Sequence, residues 1–227
     1  MLVGKIMTPD PITASPDTSH REAFELMRTH GIRRLPILDR GKLVGIVSES
    51  DLLSTQPSPA TALSIHEIYS LLEKLKVRQF MARPVITVTE DAPVEAAANV
   101  MIERTIGCLP VMRGETLVGI ITETDIFKAL VNVLGGGREG LRFSVRVPDV
   151  PGKLAQIAGD VAEAGGNIVS VVVWRANQGD EDSILTIKEH GADADALRQR
   201  LEESDAEIVD LRHDSVCDVY EFGKSGA

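Results

Sequence analysis

Aromatic residues are scarce in this chain: one Trp, two Tyr and five Phe make up 4% of 227 residues. Its cores must therefore be built from Val, Ile, Leu, Ala and Met. Cysteine is scarcer still. Cys108 and Cys217 form no spacing motif, which argues against a disulfide framework and for a reducing compartment. No run reaches 18 apolar residues, so no membrane-spanning helix is expected. The opening MLVGKIMTPDP lacks the long apolar stretch of a signal peptide, and a cytoplasmic location is expected. A basic excess is also missing. Lys and Arg number 24 against 34 Asp and Glu, and about −8 of the formal charge of −10 falls from Leu141 onward. That balance speaks against non-specific nucleic-acid binding, which needs a basic footprint, but allows a local basic pocket.

Catalytic signatures are absent as well. His20, His30, His66, His190 and His213 form no HExxH or paired metal spacing. There is no GxSxG and no Walker A loop. A non-catalytic protein is expected, with no catalytic cofactor and no metal.

What is present is a repeat. Shifting the chain by 74 residues aligns 5–51 with 79–125 without a gap, and 15 of 47 pairs are identical. The identities include Met7/Met81, Thr13/Thr87, Pro36/Pro110, Gly45/Gly119, Glu49/Glu123 and Asp51/Asp125. Each copy reads β-α-β-β-α. Short strands are expected at Ile12–Ala14 and Val85–Val88, then a helix, then two strands around a polar turn. The turns are Asp39-Arg40-Gly41 and Arg113-Gly114-Glu115. A unit this small has too little core to stand alone, so the copies should pack together.

Between the copies lies a Ser/Thr/Pro loop and a helix with the stripe Ile65, Ile68, Leu71, Leu72 and Leu75, Ser64 being a candidate cap. His66 and Tyr69 beside the stripe read as packing residues. GGGREG, Gly135–Gly140, follows a helix and reads as a linker. Beyond it comes β-α-β-β-α-β, the ferredoxin-like order, in which Gly165-Gly166-Asn167 suits a left-handed helix stop. The expected organisation is repeat 1 over 1–60, a connecting loop and helix over 61–77, repeat 2 over 78–134, the linker over 135–140, a ferredoxin-like domain over 141–213 and a tail over 214–227. The fold class is α+β.

Each copy ends in one motif: GIVSESD, Gly45–Asp51, and GIITETD, Gly119–Asp125. Ser48-x-x-Asp51 and Thr122-x-x-Asp125 precede apolar helical runs, as capping boxes do. The same helix start offers free amides suited to an anion, and a short carboxylate suited to ribose hydroxyls. Both readings stand at this point.

The repeat resembles a tandem pair of CBS domains, a Bateman module. The resemblance rests on the Met-Thr/Ala lead-in, the Arg-Arg-Leu-Pro-Ile or Gly-Cys-Leu-Pro-Val strand, and G-h-h-S/T-x-x-D. The last part resembles an ACT domain through Asp149-x-Pro151-Gly152-x-Leu154 and Gly166-Asn167-Ile168. Their order is similar to that of the acetoin-utilization (AcuB-like) regulators. The resemblance implies an adenine nucleotide (AMP, ADP, ATP or a related adenosyl compound) in clefts completed by the opposite repeat. One cleft would combine Thr122 and Asp125 with Ile12, Thr13, Ile32, Arg33 and Arg34. The other would combine Ser48 and Asp51 with Ile86, Thr87, Ile106, Gly107 and Cys108. Only the first carries arginines for phosphates, so it is expected to prefer a charged nucleotide. In the ACT part, the resemblance implies an amino-acid site at Asp149, Gly152, Asn167 and Ile168. The plainer reading is a Pro-Gly turn and an Asn after a helix stop. The resemblance further implies a homodimer and a regulatory role. An amino-acid-responsive ACT regulator, or a regulatory subunit of a separate enzyme, are the alternatives.

Overall fold

The computed structural model describes residues 1–55, 65–175 and 181–213, excluding the side chains of Ile65, His66, Ile68 and Tyr69. Ser64, the side chains of His66 and Tyr69, and the tail from 214 lie outside this set. The chain divides into two compact units, Met1–Ala129 and Leu130–Ala227.

The first unit holds repeat 1 and repeat 2 as far as Ala129, within the last helix of repeat 2. Repeat 1 contributes β1 (Thr8–Pro9), α1 (His20–His30), β2 (Arg34–Asp39), β3 (Lys42–Ser48) and α2 (Glu49–Ser54). After α3 (Ile65–Lys74), repeat 2 contributes β4 (Val88–Thr89), α4 (Val94–Arg104), β5 (Cys108–Arg113), β6 (Thr116–Thr122) and α5 (Glu123–Val133). The β2–β3 hairpin forms because Arg40 and Gly41 both adopt positive φ, 50° and 80°, which the right-handed strand twist favours in a two-residue turn. Helix α1 starts at Ser19, which accepts from the Glu22 amide while the Glu22 carboxylate accepts from the Ser19 amide at 2.7 Å.

Two expected strands are shorter than the sequence suggested. Ile12–Ala14 reduces to one parallel bridge, Ala14 to Ile37. Val85–Val88 becomes β4 at Val88–Thr89, parallel to β5 through Val88–Val111.

The repeats exchange their lead-ins. β1 pairs with β6, Thr8 opposite Ile120. The matching bridge joins Ala82 to Ile46. Val3, Ile6 and Met7 accordingly pack into the core of repeat 2, with Leu109, Val111 and Ile121. Val77, Phe80 and Met81 pack into that of repeat 1, with Leu35, Ile37 and Val47. Neither repeat closes its core from its own residues.

The second unit contains β7 (Leu141–Pro148), α6 (Lys153–Glu163), β8 (Asn167–Trp174), β9 (Asp182–His190), α7 (Ala194–Glu203) and β10 (Glu207–His213). Its antiparallel sheet has the order β10-β7-β9-β8, the ferredoxin-like arrangement. Phe143, Val145, Leu185 and Ile187 of the sheet meet Ile157, Val161, Leu197 and Leu201 of the two helices in one core. Helix α6 ends before Gly165, which takes φ of +83° as the left-handed stop requires.

The glycine-rich segment is not a free linker throughout. Gly135 is buried with φ of +74°. Its carbonyl accepts from Lys188 Nζ at 2.8 Å, and the Leu134 carbonyl accepts from Ser170 Oγ at 3.1 Å. The sheet's side chains thus cap the carbonyls that follow α5, in the place of further helical amides.

Candidate functional site in the repeat pair

The two motif copies form the same helix start. Ser48 accepts from the Asp51 amide at 3.2 Å, and Asp51 Oδ2 accepts from the Ser48 amide and hydroxyl at 2.7 and 2.6 Å. Thr122 accepts from the Asp125 amide at 3.3 Å, and Asp125 Oδ2 accepts from the Thr122 amide and hydroxyl at 2.9 and 2.7 Å. Both are capping boxes, each worth about 1 kcal/mol. In both carboxylates the cap uses Oδ2, and among the described residues Oδ1 has no hydrogen-bond partner. Cap and ligand contact can therefore coexist on one aspartate.

A cavity of about 440 Å³ opens at the second of these helix starts. Thr122 and Asp125 line it from one repeat, and Ile12, Ile32, Arg33 and Arg34 from the other. Six of the seven residues expected for the arginine-bearing cleft thus surround one space; Thr13 does not line it. The swap explains the gathering, because β1 carries the chain of repeat 1 along β6 before it reaches Ile12.

The second expected set is not kept apart from the first. Gly107 lines the cavity of Thr122 and Asp125 rather than a separate one. A Cβ at Gly107 would stand 3.1 Å from Arg34 Nη2 and 3.0 Å from Glu123 Oε2. Cys108 is buried, which pushes its thiol pKa up, while the charge of Arg34 pulls the other way. Arg34 therefore stands at the seam between the two halves, a position the linear spacing did not reveal. Ser48 and Asp51 are half-buried, Ile86 and Thr87 exposed, and Ile106 packs against the repeat-2 core. Asp10 and Glu123 also line the cavity, and neither was expected. Glu123 was visible as one of the repeated identities.

The candidate ACT residues are dispersed within the chain. Asp149 accepts from Arg175 Nε at 2.6 Å, and this bond holds its carboxyl below the usual range. Gly152 takes φ of +95° before α6. Asn167 starts β8, whereas Arg175 follows its end, roughly 25 Å away at about 3.3 Å per residue. Ile168 packs against the core. One copy of the chain does not bring Asp149 and Asn167 into one site.

Comparison with known proteins matches the CBS domain family at residues 3–57 and 77–132. The TTHA0829-like ACT domain matches residues 139–212. The chain belongs to the CBS-domain proteins. It carries a CBS pair followed by an ACT domain. The uncharacterized protein MJ1426 of Methanocaldococcus jannaschii is 36% identical over 155 residues, 58% of this chain and 92% of that one. The solved structure of AcuB from Vibrio cholerae is 34% identical, with a TM-score of 0.50 over 60% of this chain and 93% of the other. The CBS pair of protein MJ0100, solved with 5′-methylthioadenosine and S-adenosyl-L-methionine, is 33% identical, with a TM-score of 0.48 over 57% and 95%. Several relatives are longer, and the chain spans only 22 to 46% of their length; the enzymes among these are matched over 22%.

No helix among the described residues is long and apolar enough to cross a membrane. Among the same residues, no group of three His, Cys, Asp or Glu is placed to hold a metal ion.

Proposed function

We propose that this CBS–ACT protein is a non-catalytic sensor that binds an adenine nucleotide in the cavity of Thr122 and Asp125. One observation carries the reading: a single cavity joins a carboxylate with a free Oδ1 to two arginines from the opposite repeat. The carboxylate suits the paired hydroxyls of a ribose, and guanidinium groups suit a phosphate. Ile12, Ile32 and Ile120 supply an apolar wall for a base. The pair Ser48 and Asp51 has no comparable arginine from the strand of the other repeat, so the binding is unequal.

The regulatory half of the proposal rests on connectivity. Helix α5 starts at the cap of Thr122 and Asp125 and runs unbroken to Val133, next to residues tied to the ACT sheet by Ser170 and Lys188. A ligand that alters this helix start would bias the ACT domain only if two states differ in their affinity for it. Calorimetric titration of the full chain with AMP tests the binding. Asp125→Ala is expected to weaken binding at least tenfold and Asp51→Ala to leave it within twofold. Equal losses would sink the asymmetry, and no binding of any adenine compound would sink the reading.

A further inference from the structure

The charges lining the cavity restrict what can fill it. Arg33 and Arg34 are its two cations, and Asp10, Glu123 and Asp125 its three carboxylates. Asp125 and Arg34 are half-buried, whereas Asp10, Arg33 and Glu123 are exposed at the rim. Two of the three rim charges are therefore negative.

The backbone at both rim carboxylates is held by hydrogen bonds. The Asp10 amide donates to the Val118 carbonyl at 3.3 Å, and Asp10 holds a left-handed φ of 46°. The Glu123 amide donates to the Gly107 carbonyl at 3.3 Å as α5 begins. The absence of a side chain at Gly107 lets the Glu123 carboxylate and Arg34 guanidinium converge on one point. Among the described residues neither Asp10 nor Glu123 forms an ion pair or a side-chain hydrogen bond; Glu123 faces the guanidinium of Arg34 without pairing with it, and Asp10 has no paired cation. The internal repeat sharpens the point. Glu49 matches Glu123, but Pro84 matches Asp10 and Gly107-Cys108 matches Arg33-Arg34. Between the two repeated helix starts, the Thr122 and Asp125 cavity alone combines two arginines with a second rim carboxylate among the described residues.

We infer that Asp10 and Glu123 form a charge filter that limits this cavity to an adenine nucleotide with a single phosphate. This inference rests on the nucleotide reading above and narrows it. Two arginines balance one phosphate dianion. A second and third phosphate must extend beyond them and meet like charge at the rim, where repulsion is weaker than in a buried site but still costs affinity at low salt.

The test is calorimetry on the full chain at low ionic strength without divalent cations, using adenosine, AMP, ADP and ATP. AMP is expected to bind about tenfold more tightly than ATP, with ADP between, and the gap to narrow as salt screens the rim. Asp10→Asn and Glu123→Gln keep shape and remove charge; Asn also tolerates the left-handed backbone at position 10. In the double variant the AMP-to-ATP ratio is expected to fall below about threefold, chiefly by tighter ATP binding. A melting curve for each variant confirms folding. ATP binding as tightly as AMP to the unaltered protein would overturn the inference. So would adenosine matching AMP, or an unchanged ratio in the double variant. If none of the four compounds binds, the nucleotide reading itself fails, which is a different result.

Discussion

Gly45 lies beneath the side chain of Met81. A Cβ at Gly45 would stand 2.8 Å from Met81 Cγ, and Gly119 has the same relation to Met7, at 3.0 Å. Both pairs cross between repeats, as the exchanged lead-ins do. The glycines are needed for this close approach rather than for an unusual φ. Gly45→Ala is expected to destabilise the CBS pair by about 1–3 kcal/mol through overpacking. In thermal unfolding, Gly45→Ala with Met81→Ala should cost less than the two single effects added together, because the partners touch. Additive costs would show that the two side chains do not meet.

Lys188 predicts a different effect. Its ammonium, on a residue 3% exposed, donates to the Gly135 carbonyl. Lys188→Met keeps the aliphatic stem and leaves that carbonyl without its donor, at a cost of about 1–3 kcal/mol. Trypsin should then cut after the exposed Arg138 several-fold faster than in the unaltered protein. An unchanged cleavage rate would mean that the glycine-rich segment is held by something other than this bond.

Glu22 gives a pH dependence whose sign can be stated. The hydrogen bonds from the Ser19 backbone, and then from its side chain, lower the Glu22 pKa from 4.5. A depressed carboxyl pKa contributes stability above the unfolded value that is lost as pH falls through the folded one. The group is exposed, so the effect is small. Glu22→Gln should lower the melting temperature at pH 7 by at most about 2–4 °C, and by less at pH 3, where the carboxylate is partly or fully protonated. A deficit of equal size at both pH values would assign the loss to shape rather than charge.

Much of this architecture is legible along the chain. The turn at Arg40-Gly41, the stop at Gly165 and the caps at Ser48 and Thr122 depend on residues within one turn of each other, so local spacing reveals them. The cap at Ser19 and Glu22 carries the same Ser-x-x-Glu signal, outside the repeated motif. The first candidate cleft was legible because repetition pairs each helix start with the opposite strand. Asp10 was not. It lies in a proline-rich lead-in, and its place at the cavity depends on β1 pairing with β6, more than 100 residues away.

The order of residues alone thus determined the doubled βαββα unit, the ferredoxin-like domain after it and the two equivalent helix starts. Each follows from periodicity, turn chemistry and capping, which act over a few residues. Only the tertiary structure decided that each lead-in completes the core of the other repeat. It also placed Gly107 and Arg34 at the same seam and tied Asp149 to Arg175, at the opposite end of β8 from Asn167. Those outcomes depend on which distant surfaces bury each other, and the energy that selects them is shared among many side chains that are not neighbours in sequence.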